Sequence, residues 1–128
     1  MDFRALSIIS QGTLKKAGLL YTIDLPCIQL KLNYSNFISA GDDLYSCLAN
    51  LRKQLPDVEF LCKGSKLNVH PSRSTRQMTA GLMAYELTMG EQARRSDLVN
   101  IFDYDDNNLT NEPGEQNSFF EAWLTSLE

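Results

Sequence analysis

Leu44, Cys47, Leu48, Leu51 and Leu55 recur at i, i+3, i+4, i+7 and i+11, the spacing that lines up one apolar stripe on an α-helix. The ends of the segment agree with the stripe. Asp42 and Asp43 follow Gly41, where a carboxylate can accept from free backbone N–H groups. Arg52 and Lys53 lie near the negative end of the helix dipole, and Pro56 stops continuation. Val58 to Cys62 then reads as a buried strand closed by the Lys63-Gly64-Ser65 turn signal. A helix feeding directly into a strand constrains the chain to mixed α and β packing, and it makes Cys47 a core thiol rather than a reactive one.

The remaining segments fill in that frame. Cys27 to Tyr34 alternates apolar and polar residues with the period of a strand that has one wet face. Leu19 to Asp24 is a further strand candidate and Phe3 to Ser10 reads either as a strand, the preferred reading, or as a first helical turn, with Gly12 and Gly18 as punctuation between them and Pro26 as a stop. Asn68 to His70 can extend the sheet. Ser74 with Gln77 has capping-box spacing for a short helix ending near Gly81. Leu82 to Met89 reads as a strand burying Met83, Tyr85, Leu87 and Met89. Ser96 is placed to cap a short helix over Asp97–Phe102, and Ser118 with Glu121 to open a last helix with Phe120, Trp123, Leu124 and Leu127 on one stripe. The expectation is a single α+β domain with a four- to five-stranded antiparallel or mixed sheet packed by three to four helices. Residues 1–104 form its body, 105–117 an acidic linker rich in Asp, Asn, Gly and Pro, and 118–128 a helix that docks on the body, because a lone helix of about ten residues is marginal in water.

Size and composition fit one such domain. The chain has 128 residues, 43% hydrophobic and 22% charged, enough to bury roughly 65–70% of its unfolded surface without a metal or a disulfide framework. No apolar run reaches the ~18 residues of a membrane helix, and the start, Met1-Asp2-Phe3-Arg4, lacks the pattern of an export signal, which points to the cytoplasm. Three cysteines at unrelated spacings read as small buried thiols.

The charge is unevenly distributed. Residues 1–102 hold all 12 Lys and Arg against nine acids, whereas 103–128 hold seven acids and no base. Such an end disfavours nucleic acid and anionic lipid as partners; it serves either as a solvated tail or as a face for a basic partner. Asp103, Asp105, Asp106, Glu112 and Glu115 are therefore the candidate partner-binding residues. The counterpart is the segment 61–77, with Lys63, Lys66, Arg73 and Arg76 and no acid between Glu59 and Glu86. It offers either a local anion site or a basic loop that balances acids elsewhere in the fold.

The motifs for catalysis and metal binding fall short. Gly64-Ser65-Lys66 lacks the spacing and second glycine of a phosphate-binding loop. A nucleophile at Cys62 or Ser72 would depend on His70, the only histidine, with no evident acid to orient it. Three scattered cysteines and one histidine do not make a zinc set. Asp103, Asp105 and Asn107 imitate the first ligands of a calcium loop, but Asn108 stands where glycine is required and Gly114 where a bidentate Glu is required. No cofactor and no metal is expected.

Cys62-Lys63-Gly64-Ser65, Val69-His70-Pro71-Ser72, Gln77-Met78, Gly81, Ala84-Tyr85 and Asp97-Leu98-Val99-Asn100-Ile101-Phe102 together resemble a family of small bacterial proteins. That family is similar in size and style to the immunity proteins that protect bacteria from polymorphic or contact-dependent growth inhibition toxins. The resemblance spans about residues 60–102 and leaves out the N-terminal half and the acidic end. It implies a single-domain cytoplasmic protein that neutralises a cognate toxin domain by binding it, without catalysis of its own. Most nuclease toxins are basic because their substrates are phosphates, so an acidic face is a suitable one. The alternatives are another small binding or regulatory module, or a small enzyme using the Cys62–Arg76 segment.

Overall fold

The computed structural model describes all residues, 1–128. Strands β1 (Asp2–Ser10) and β2 (Thr13–Thr22) form a hairpin whose two loop residues, Gln11 and Gly12, both have positive φ (52° and 75°). That is the geometry of a primed turn, whose twist matches that of the strands it joins. The second strand therefore begins six residues before Leu19, and Lys15-Lys16 lie inside it. Lys16 Nζ donates to the hydroxyl of Ser7, its cross-strand partner, at 2.6 Å.

β3 (Cys27–Leu32) shows the expected alternation, with Ile28, Leu30 and Leu32 buried. β4 (Ser35–Ala40) was not expected as a strand; it returns along β3 after a tight turn at Asn33-Tyr34, where Asn33 has φ 58°. β5 (Val58–Phe60) joins the other side of β1, so the first sheet has five strands in the order β4-β3-β2-β1-β5. Every pairing is antiparallel, which settles the mixed-sheet alternative.

Helix α1 (Leu44–Gln54) buries its predicted stripe against this sheet, with Leu44, Cys47, Leu48 and Leu51 all fully buried. Asp43 is its N-cap and accepts from the Ser46 N–H at 2.7 Å. The same helix guards the sheet edge: the amides of Asn50 and Gln54, one turn apart, donate to the carbonyls of Ala40 and Ile38 at 3.0 Å each. At the opposite edge Asn111 donates to the carbonyls of Pro56 (3.1 Å) and Val58 (2.6 Å). These side-chain amides thus cover backbone carbonyls at both ends of the sheet's strand order, which hinders pairing with another chain at those points.

A second sheet of three short antiparallel strands, β6 (Val69–His70), β7 (Met83–Glu86) and β8 (Leu98–Asn100), was not expected as a separate sheet. Between β6 and β7 lies α2 (Arg73–Thr79), capped by Ser72 with Thr75 rather than by Ser74 with Gln77. β7 buries Ala84, with Leu87 buried just beyond it, whereas Met89 is exposed, so the face assigned from alternation is only partly right. The segment expected as a helix over Asp97–Phe102 is a single 3₁₀ turn (Arg95–Asp97) followed by β8, because the N–H and carbonyl groups of 98–100 pair with β7. Ile101 and Phe102 still reach the core, a cluster of 20 buried residues shared by the first sheet, α1 and the second sheet. Gly64 lies where α1 and Ile101 close together; a Cβ there would sit 2.6 Å from a Leu48 methyl and 2.8 Å from Ile101 Cβ.

The last helix, α3 (Pro113–Ser126), starts five residues earlier than Ser118, with proline in its first turn. Residues 103–110 are not a free linker. They are tied to 61–67 by two isolated antiparallel bridges, Cys62 with Tyr104 and Lys66 with Leu109, through Lys63 N–H to Asp103 O (2.8 Å), Leu67 N–H to Asn108 O (2.8 Å) and Thr110 N–H to Ser65 O (2.9 Å). No helix is long and apolar enough to cross a membrane.

Candidate partner-binding surfaces

The acidic end is held to the body by a buried polar junction. Arg52, in the last turn of α1, is 1% exposed and has no carboxylate partner. Its Nη1 donates to Gln116 Oε1 at 3.0 Å and its Nη2 to the Thr110 carbonyl at 2.6 Å. Gln116, equally buried in α3, donates its own Nε2 to the carbonyls of Gly64 (2.9 Å) and Lys66 (2.7 Å). Burial pulls the guanidinium pKa down, as expected where a charge has left water.

The five candidate acids then divide. Asp105 accepts from Lys66 Nζ at 2.8 Å and Lys63 Nζ at 3.1 Å, with Glu86 3.6 Å from the same Lys66. Burial alone would raise the Asp105 pKa, but the Lys66, Asn107 N–H and Lys63 hydrogen bonds outweigh it and hold the carboxyl well below the usual range. Asp103 pairs with Arg4 at 3.0 Å. These two acids are used inside the molecule, Asp105 balanced by Lys63 and Lys66 of the basic loop and Asp103 by Arg4.

Asp106 is exposed and accepts from the Tyr104 hydroxyl at 3.2 Å. Glu112 and Glu115 lie at the start of α3, where a carboxylate suits the positive end of the helix dipole. There they border an open concavity of about 720 Å³ together with Leu67 and Phe119. Glu115 also accepts from the Thr110 hydroxyl. The structure thus brings Glu112 and Glu115 to one site and places none of the three aspartates in its lining. Leu67 and Phe119 escaped the sequence reading, because neither belongs to a charge run or to an expected stripe.

A different flank of α3 has the opposite character. His70 stacks on Phe120 with ring centroids 4.0 Å apart and planes 10° apart, and Phe120 continues to Trp123 at 5.9 Å. Trp123 is fixed in place, since its indole N–H donates to the carbonyls of Thr88 (3.0 Å) and Glu91 (2.9 Å). Of the stripe expected for the last helix only Trp123 is buried, at 8% exposure; Leu124 is exposed. Burial lowers the His70 pKa, partly opposed by a 2.9 Å contact between Nδ1 and the Pro71 carbonyl. In the neutral ring Nδ1 is then the donor and Nε2 the acceptor.

The nucleophile candidates are not assembled around this histidine. The Ser72 hydroxyl caps α2, accepting from the Thr75 N–H at 3.0 Å. Cys62 is fully buried, its Sγ 3.5 Å from the Ser65 hydroxyl, and burial pushes its thiol pKa up, away from the reactive thiolate. No group of three or more His, Cys, Asp and Glu is arranged to hold a metal ion. No protein-family model matches the chain, and no curated protein is detectably similar to it.

Proposed function

We propose that this chain is a non-catalytic immunity protein that binds a basic toxin domain, of nuclease type, and neutralises it by occlusion. The observation that carries the reading is the concavity at the start of α3, where two unpaired carboxylates, Glu112 and Glu115, flank the apolar walls of Leu67 and Phe119. A lysine or arginine of a partner would bring its charge to the carboxylates while its aliphatic stem covers the apolar wall. Asp106, exposed on the preceding loop, adds to the same sign of field. Opposite fields raise association rates toward 10⁸–10⁹ M⁻¹s⁻¹ at low salt, about the limit for steered encounter, which suits a protein that must reach its toxin before the toxin reaches its substrate.

The scaffold is consistent with occlusion. Asn50, Gln54 and Asn111 cover carbonyls at the edges of the five-stranded sheet, which disfavours strand addition there and favours binding through side-chain surfaces. Co-expression with a basic nuclease-type toxin domain, sought in the neighbouring reading frames, tests the reading. The wild type protects the cell and is captured in a one-to-one complex, whereas Glu112→Lys with Glu115→Lys loses both properties with an unchanged melting temperature. Full protection by that double variant overturns the assigned face, and the absence of any neighbouring toxin domain that the wild type binds overturns the function.

A further inference from the structure

The flank of α3 opposite in charge to the acidic concavity is itself a formed surface with no role in the reading above. Two concavities of about 390 and 500 Å³ meet there, sharing His70, Pro71, Ser72, Arg73 and Phe120. Sharing these five lining residues, they make one continuous trough around Arg73. Toward the C-terminal end of α3 its walls are apolar, with Leu87, Trp123 and the exposed Leu124. Toward α2 its rim is Arg76 and Gln77. No acid lines either part. Arg76 is committed to Asp43 and lies 5.7 Å over the Tyr45 ring, but Arg73 is exposed and forms no ion pair.

We propose that this trough binds an extended acidic peptide segment of a partner protein, seating an apolar side chain against Phe120, Trp123 and Leu124 and a neighbouring carboxylate on Arg73. The charge argument is direct: the lining offers two guanidinium groups and no carboxylate, one of them without an internal partner, so a carboxylate is the complementary group. The apolar floor is set before binding, because the His70–Phe120 stack and the two hydrogen bonds of the Trp123 indole hold the rings in place. Openness selects a peptide over a small molecule. A small ligand is held by burying most of its surface, whereas both parts of this trough are open to solvent, which suits an extended chain. The proposal is independent of the toxin reading, since the acidic concavity and the trough share no residue.

Trp123 is the only tryptophan of the chain, so its emission reports occupancy of the trough. The test is a titration of the full chain with the blocked peptide acetyl-Glu-Leu-Glu-Phe-Glu-amide, which contains no tryptophan. Parallel titrations use the peptide with lysine in place of glutamate and phenylacetate alone. A saturable change is expected with the acidic peptide, weakened about tenfold or more by the lysine replacement and by Arg73→Glu, and reduced at about 0.5 M salt. Leu124→Glu, also at an exposed position, weakens it as well. The proposal is overturned if the acidic peptide gives no saturable change at millimolar concentration, if the lysine peptide or Arg73→Glu binds equally well, or if phenylacetate binds as tightly as the peptide, which would make the trough a small-molecule site.

Discussion

Arg52 sits in the last turn of α1, where a cation suits the helix dipole, and nothing in its sequence position announces that its guanidinium is buried on Gln116 and the Thr110 carbonyl. Gln116 is equally inconspicuous, a polar residue in a polar stretch, yet it joins α3 to α1 and to the 64–66 backbone at once. Side-chain bonds to distant carbonyls leave no periodic mark in a sequence, which is why the segment read as a linker. Gln116→Ala leaves Arg52 and two carbonyls short of partners in the interior, and we expect a loss of about 3 kcal/mol in a urea melt, since each orphaned buried polar group costs its desolvation. His70 governs the mildly acidic range. Its folded pKa is depressed, so the unfolded chain takes up the proton first as pH falls below about 6.5. The stabilisation of the neutral ring is complete above that pH and is lost as pH falls toward the folded value. The urea midpoint should therefore drop between about pH 7 and pH 5, and His70→Gln should flatten that drop, there being no other histidine to cause it.

At the scale of elements, α1 and β3 were legible because each has a stripe and a boundary signal that agree, and burial follows the stripe. Leu48→Ala should cost ~2–5 kcal/mol, the range for truncating a fully buried leucine, read as a shift in the denaturant midpoint with little change in slope. β4 was missed because Ser35-Asn36-Phe37-Ile38-Ser39-Ala40 has few strong strand formers, and its place is set by the Asn33 turn and by the Asn50 and Gln54 amides rather than by propensity. Replacing both amides with alanine leaves the outer carbonyls of that edge without protein partners. The expected outcome is a concentration-dependent loss of monomer in light scattering, with only a modest change in the thermal midpoint. The helix expected over Asp97–Phe102 failed for a related reason: three residues with ambiguous propensity took the pairing that β7 offered.

Across the whole molecule, the division into a basic body and an acidic end was visible in the sequence, but its meaning depended on which charges meet. Folding brings Asp105 onto Lys63 and Lys66 and Asp103 onto Arg4, so part of the imbalance cancels internally, and the unpaired remainder includes Asp106, Glu112 and Glu115. The concave setting of the two glutamates beside Leu67 and Phe119 could not be read from spacing, since Leu67 comes from the turn before β6 and reaches α3 only in the fold. Asp105→Asn is accordingly a poor probe of partner binding, because it removes an internal ion pair. The most direct measurement is the association rate of the basic toxin domain proposed as the partner with the wild type and with the Asp106→Asn, Glu112→Gln, Glu115→Gln triple variant, at low salt and at about 0.5 M salt, where the screening length is about 4 Å. If the acidic face steers the toxin, the triple variant associates several-fold more slowly at low salt, and the difference shrinks at high salt. Equal rates for the two proteins in both salts would contradict the account.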